Sequence, residues 1–133
     1  MNEITARVRR STEKLRTAEA LASLASMQNK NFAKQLIPAR DKAWEAFGLY
    51  WEHDWTADAP VVSQKDRAEW QIKLQKQITG YTDSLFKVLI ATLGAQIKKS
   101  SNTRFYVFNP LSWKRNDVAD LEYDGHYPVR VFD

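Results

Sequence analysis

The residue types best suited to chemistry are concentrated between Tyr50 and Thr56, where the sequence reads Tyr-Trp-Glu-His-Asp-Trp-Thr. His53 is one of two histidines in the chain, and Asp54 follows it directly. Imidazole nitrogen and carboxylate oxygen are common zinc ligands, and a catalytic zinc site uses about three protein ligands. The other histidine, His126, follows a predicted hairpin turn and is expected to be exposed to solvent. The segment therefore predicts at most a partial metal site, with ligands missing from this chain.

The same segment allows two other interpretations. Glu52 and Asp54 could act as a general acid and base, but residues two apart on a helix point in different directions, which makes them a poor pair. Alternatively, Trp51 and Trp55 are core or lid aromatics and His53 is a hydrogen-bonded structural histidine. The residues alone leave the metal site and this structural interpretation open.

Composition excludes several kinds of site. The chain has no cysteine, so disulfides, thiolate zinc sites and cysteine nucleophiles are excluded. Its four glycines are isolated from one another, so no glycine-rich phosphate loop is present. No Gly-x-Ser-x-Gly motif occurs, which removes the usual nucleophile elbow of serine hydrolases.

Length and composition predict a globular chain of about one domain. The 133 residues are 44% hydrophobic and 27% charged, values typical of folded proteins. No apolar run is long enough to predict a membrane span, and no secretion signal is visible near Glu3. The net charge of +4 is mild, and the basic residues of 61–103 are spread around a predicted helix. Neither a membrane nor a nucleic acid is therefore an expected partner, and nucleic-acid binding remains only a weak alternative.

Three helices are predicted to position the segment around His53. Hydrophobic periodicity indicates a helix over 3–28, a second from about Leu36 with Pro38 in its first turn, and a long third helix over about 64–99. The run Ser63-Gln64-Lys65-Asp66 resembles a capping box and predicts the start of the third helix. If the second helix extends to residue 54, the side chains of His53 and Asp54 leave its last turn about 100° apart.

After residue 103 the pattern changes from helical to extended. Residues 104–108, 118–123 and 129–131 alternate or are rich in aromatic and β-branched side chains, which predicts strands, and Asp124-Gly125 predicts a hairpin turn. Three terminal strands cannot close a sheet of their own, so we expect the opening strands of a β domain whose remainder is missing. The predicted fold is mainly α: an antiparallel three-helix bundle (domain 1–102) followed by a short β region (domain 103–133).

Two segments together resemble the family 38 glycoside hydrolases, the zinc-dependent α-mannosidases. Glu52-His53-Asp54 is similar to the family's His-His-Asp motif, and the run from Val107 to Arg115 (Val-Phe-Asn-Pro-Leu-Ser-Trp-Lys-Arg) is similar to the strand motif that opens its β-sandwich. The order of helices and motifs is also similar. Two departures are visible, since Glu52 stands where the first histidine often is and the glycine usual a few residues after the motif is missing.

The resemblance implies roles for two residues. His53 would be a zinc ligand and Asp54 would contact sugar hydroxyls. The aspartate nucleophile of the retaining mechanism and the other zinc ligands would lie on a missing N-terminal α/β catalytic domain, and the rest of the β-sandwich would also be missing. No catalytic residue is expected in this chain, which would have no turnover alone and would not hold zinc alone. The alternative is a non-enzymatic helical module in which Trp51 and Trp55 bind a protein partner.

Overall fold

The structure is a computed structural model that describes residues 2–52, 62–101, 103–109, 111–120 and 122–125. Within these ranges it is mainly helical, as predicted. The described residues form three α-helices, α1 (Asn2–Gln28), α2 (Ile37–Tyr50) and α3 (Gln64–Gly94), and a short 3-10 helix, Lys34–Leu36, before α2. None of the helices in the described ranges is long and apolar enough to cross a membrane.

The directions of the helices follow from the contacts between them. Ser11 bonds Thr79 and, one turn further along both helices, Lys14 bonds Asp83, so α1 and α3 run in the same direction. The hydroxyl of Tyr50, at the end of α2, bonds Thr5 near the start of α1. The chain therefore returns along α2 in the opposite direction, and α3 packs against both other helices.

The core is built from one face of each helix. On α1 the buried positions recur at intervals of three and four residues, which is the spacing that places them on one side of a helix. Alanines in this stripe allow neighbouring helices to approach closely. The buried hydrophobic residues are Val8, Leu15, Ala18, Leu21 and Ala25 of α1, Ala43, Ala46, Phe47 and Tyr50 of α2, and Leu74, Ile78, Tyr81, Leu85 and Leu89 of α3.

The start of α3 confirms the predicted cap. The Ser63 side chain accepts a hydrogen bond from the backbone N–H of Asp66 at 3.1 Å and donates one to the Asp66 carboxylate at 2.7 Å. The end of α3 was predicted at about residue 99, which is wrong, because the helix ends at Gly94. Glycine is a weak helix former, and the next backbone bonds, Gln96 to Leu93 and Ile97 to Gly94, already have the tighter three-residue spacing.

The chain divides into two compact units, Met1–Ile97 (the helical unit) and Lys98–Asp133 (the second unit). The predicted domain boundary at residue 102 stays a prediction. In the second unit no strand is formed by residues 103–109, 111–120 or 122–125, and every one of these residues is exposed. The predicted strands at 104–108 and 118–123 are thus not shown, and the one at 129–131 lies outside the described residues.

One ordered feature of the second unit is a turn built on Asn109. Its side-chain amide donates to the carbonyl of Trp113 at 2.8 Å, and its side-chain oxygen accepts from the N–H of Leu111 at 3.1 Å. An asparagine that bonds the backbone two residues ahead replaces a backbone contact of a turn. The chain therefore reverses locally within the motif that starts at Val107.

Candidate functional site

The two predicted site residues, His53 and Asp54, lie outside the described residues, as do Trp55 and His126. Their geometry therefore stays a prediction. The structure does describe the residues that flank them, up to Glu52 on one side and from Val62 on the other. These flanks determine where the segment leaves and rejoins the helical unit.

The first flank is held by Tyr50. Its ring is buried, with 3% of the residue exposed, and its hydroxyl lies 2.9 Å from the Thr5 hydroxyl. The backbone N–H of Trp51 then bonds the carbonyl of Phe47 at 3.4 Å, which closes the last turn of α2. The exit of the chain towards residue 53 is thus fixed to the first turns of α1 by a side-chain hydrogen bond.

The second flank is the capped start of α3. Ser63 and Asp66 close the first turn of that helix, as described above. Because α1 and α3 run in the same direction and α2 runs against them, α1 and α3 begin at the same end of the helical unit as α2 finishes. Both flanks of the predicted site therefore lie at one end of the helical unit.

Trp51 is the aromatic residue best placed to serve a site at this end. It is 51% exposed and contacts Tyr50 edge to face, with ring centroids 5.2 Å apart. Trp51 is therefore not a core residue of the described unit, and the interpretation of Trp51 as a lid aromatic stays open. With Arg9, Arg10, Thr12 and Glu13 of α1 it lines an open concavity of about 630 Å³.

Sequence reasoning missed this concavity. The hydrophobic pattern predicts that Arg10 lies opposite the buried stripe of α1 and that Trp51 shares a stripe with Trp44 and Phe47. The concavity exists because residues more than forty positions apart meet, as the bond between Thr5 and Tyr50 shows. No local pattern encodes that approach. The one feature of the sequence that pointed to this concavity was the polar face of α1, opposite the buried residues of that helix.

Some of the charged side chains at this end of the helical unit form ion pairs. The Glu3 carboxylate lies 2.6 Å from the Arg7 guanidinium, four residues along α1. The hydrogen bond from Arg7, and then its positive charge, lower the pKa of Glu3 from its ordinary value. Glu13 pairs with Arg16 at 3.4 Å. Arg9 and Arg10 form no ion pair with any residue in the described ranges, so the concavity presents cations beside an indole.

Zinc does not fit the donors that the structure describes. In the described ranges no group of three His, Asp or Glu side chains lies close enough to hold a metal ion. The chain also has no cysteine, and both of its histidines lie outside those ranges. A catalytic zinc site would therefore need the undescribed donors, ligands from another domain, or both.

The geometry defines a mainly helical protein with an aromatic and cationic surface at one end and no described pair of nucleophile and base. Comparison with protein-family models, with curated proteins and with solved structures found no match. The function therefore has to be argued from the motifs and from this surface.

Proposed function

We propose that this chain is the helical middle domain, an antiparallel three-helix bundle, and the opening strands of the β-sandwich of a zinc-dependent retaining glycoside hydrolase that acts on α-mannosides. The observation that carries the proposal is the order of two motifs relative to the helices. Glu52-His53-Asp54 follows the end of α2 directly, and the motif starting at Val107 follows α3. This order of helices and motifs agrees with the resemblance, although α2 ends at Tyr50, before the first motif, and does not contain it.

Four features of the structure support the proposal. Tyr50 fixes the exit of α2, so residues that follow it start from a rigid element, as a site requires. Trp51 is half-exposed beside this exit, and an exposed indole is suited to stacking on a sugar ring. The Asn109 turn gives local order to the motif at Val107, and the division of the chain after Ile97 is compatible with a new domain there.

In this proposal the chain supplies part of an active site. His53 is a zinc ligand and Asp54 contacts sugar hydroxyls. The remaining ligands and the carboxylate nucleophile of the retaining reaction belong to an N-terminal α/β catalytic domain. Zinc bound in the complete enzyme would hold sugar hydroxyls and favour a distorted ring. This chain's own residues position the substrate and do not carry out bond cleavage.

The test uses the complete parent enzyme. We expect His53→Ala to lower zinc content and to reduce hydrolysis of 4-nitrophenyl α-mannoside on the order of a hundredfold or more, because a metal supplies several kcal/mol to such reactions. Asp54→Asn should retain zinc but weaken substrate binding. Zinc content is measured by elemental analysis and activity by release of nitrophenol.

Lys87→Ala is the matched control, because Lys87 is exposed in the middle of α3. It should leave both zinc content and activity unchanged. The isolated chain should show no hydrolysis at all. Unchanged zinc content and activity in His53→Ala would contradict the proposal.

A second candidate function is a non-enzymatic module that binds a protein partner. The observation that favours it is the exposure of Trp44, which lies in α2, and of Trp51, which directly follows α2. They are 50% and 51% exposed. Exposed tryptophans are enriched among the residues that dominate protein interfaces. The genomic sequence before Met1 separates the two functions: a reading frame with a His-x-Asp motif favours the hydrolase, and an isolated gene favours the module.

A further inference from the structure

A second concavity lies at the opposite end of the helical unit from Tyr50 and Ser63. Its volume is about 380 Å³, and its walls come from the C-terminal half of α1, residues 30–37, the first turn of α2 and the middle of α3. This volume lies at the low end of the range for small-molecule sites. All its lining residues belong to the helical unit, and none belongs to the mannosidase-like motifs.

The floor of this cavity is apolar. Leu85 and Tyr81 of α3 are 3% and 6% exposed, and they are joined by Ala22 of α1 and Phe32 of the connection, both half-buried. Apolar surface that remains open to solvent beside buried side chains gains free energy when a ligand covers it. The floor therefore favours a ligand with a hydrocarbon or aromatic body.

The rim of the cavity is positively charged. Lys30, Lys34 and Arg40 line it, against the single carboxylate of Glu19. Arg40 is partly neutralised, since its guanidinium lies 2.9 Å from the carboxylate of Asp41. The two lysines form no ion pair with any residue of the described segments. Charge complementarity therefore favours an anionic group on the ligand.

Tyr81 links the floor to the rim. Burial raises the pKa of its hydroxyl above 10.0, the negative charges of Glu19 and Asp41 act in the same direction, and the positive charge of Arg40 opposes them. The phenol is thus protonated at neutral pH and close enough to Glu19 and Arg40 to be influenced by both. A protonated phenol can donate a hydrogen bond to a carboxylate, and a bond to a charged acceptor is stronger than one between neutral groups.

We propose that this cavity binds a small carboxylate with an apolar body. The body lies on Leu85 and its neighbours, and the carboxylate accepts a hydrogen bond from Tyr81 close to the charges of Lys34 and Arg40. A small inorganic anion would leave the floor uncovered, and a neutral apolar molecule would leave the rim cations without a partner. The proposal is independent of the proposed hydrolase function, because it concerns other residues at the other end of the helical unit.

The experiment titrates 3-phenylpropionate into the isotopically labelled chain and follows backbone amide signals by NMR at neutral pH. We expect saturable shifts confined to residues 22–40 and 81–85, with a Kd on the order of 1–10 mM for a ligand of this size. Acetate, which lacks the body, and 3-phenylpropanamide, which lacks the charge, should each bind at least about tenfold more weakly.

Two variants test the assigned contacts. Tyr81→Phe keeps the ring and removes the hydroxyl, and Lys34→Gln removes an exposed rim charge without touching the core. Each should weaken binding of 3-phenylpropionate by about threefold to tenfold, since each removes one polar contact with the anion. Lys76→Gln, an exposed position of α3 outside the cavity, is the control and should leave the Kd unchanged.

Several results would overturn the proposal. One is the absence of saturable shifts up to about 50 mM ligand, well above the expected Kd. Others are equal affinity for 3-phenylpropionate and its amide, equal affinity for 3-phenylpropionate and acetate, and an unchanged Kd in both Tyr81→Phe and Lys34→Gln. The dispersion of amide signals in each variant verifies that the helical unit is folded.

Discussion

At the residue scale, the hydrogen bond between Thr5 and Tyr50 is the contact most closely tied to the predicted site. It joins side chains 45 positions apart at a distance of 2.9 Å. We expect Thr5→Val to lower the free energy of unfolding by about 0.5–1.5 kcal/mol, because the substitution keeps the β-branched shape and removes only the hydroxyl partner of Tyr50. Urea unfolding followed by circular dichroism measures the change.

Thr17→Val is the matched control for this substitution. Within the described part of the chain, the Thr17 hydroxyl donates to the carbonyl of Glu13, one turn back on the same helix, and to no other residue. Loss of the Thr17 hydroxyl should change the free energy of unfolding by less than about 0.5 kcal/mol, as for most surface positions. Equal effects at positions 5 and 17 would show that the link to Tyr50 contributes nothing to stability.

Tyr81 carries a pH-dependent contribution to stability. Its folded-state pKa is raised above 10.0, chiefly by burial, so the unfolded chain releases this proton first as pH rises. The stabilisation is therefore complete below pH 10 and is lost as pH increases through the folded-state pKa. We expect Tyr81→Phe to lose less stability than the unmodified chain between pH 9 and 12, measured by urea unfolding at each pH.

Tyr106→Phe provides the comparison, because Tyr106 is 66% exposed. The free energy of unfolding of Tyr106→Phe should fall with rising pH as steeply as that of the unmodified chain. If the stability of Tyr81→Phe fell with alkaline pH as steeply as that of the unmodified chain, burial of the Tyr81 phenol would not be the origin of the pH dependence.

At the element scale, the alignment of α1 with α3 depends on polar contacts inside an apolar interface. Ser11 lies 3.0 Å from the hydroxyl of Thr79, which in turn accepts a hydrogen bond from the side chain of Gln75 at 2.7 Å. A shift of either helix by one turn would separate these partners and leave buried polar groups unpaired, which costs free energy. The three side chains therefore favour one register of α1 against α3.

The start of α3 depends on Ser63. Its hydroxyl satisfies the N–H of Asp66, one of the first-turn donors that have no partner within the helix. We expect Ser63→Ala to lower the free energy of unfolding by about 1 kcal/mol, the usual value of an N-cap. The measurement is thermal or urea unfolding followed by circular dichroism at 222 nm.

Ser84→Ala is the control on the same helix. Ser84 is exposed in the interior of α3, where alanine has the higher helix propensity. This variant should be as stable as the unmodified chain or slightly more stable. A loss at Ser84 as large as that at Ser63 would rule out the capping explanation.

At the scale of the whole molecule, the stability of the helical unit depends on a core shared by three helices. Ile78 lies in the middle of α3 and is fully buried, whereas Ile90 on the same helix is 52% exposed. We expect Ile78→Ala to cost about 2–5 kcal/mol, because it removes buried methyl groups and leaves a cavity. Urea unfolding measures this change in the free energy of unfolding.

Ile90→Ala makes the identical chemical change at an exposed position. It should cost less than about 0.5 kcal/mol. Similar losses at positions 78 and 90 would mean that α3 does not bury the face described above.

Part of this architecture could be predicted from the sequence. Local rules suffice for the helical stripes of α1 and α3, the position of Pro38 at the start of α2 and the Ser63 cap, because each depends on residues within a few positions of one another. The end of α3 could not be predicted well, since a single glycine competes with apolar residues on both sides of it. The strands after residue 103 stay a prediction, since strand pairing depends on partners far away in the chain.

From side-chain chemistry alone, the sequence singles out His53 and Asp54 as candidate metal ligands. The sugar contact of Asp54 is implied by the resemblance and stays a prediction. The sequence also determined the mainly helical class, through periodicity. Only the tertiary structure decided that Trp51 is exposed beside α1 and that Tyr81 forms the floor of a charged cavity. These features depend on contacts between side chains of different helices. A pattern of residues close together in the sequence does not specify such contacts.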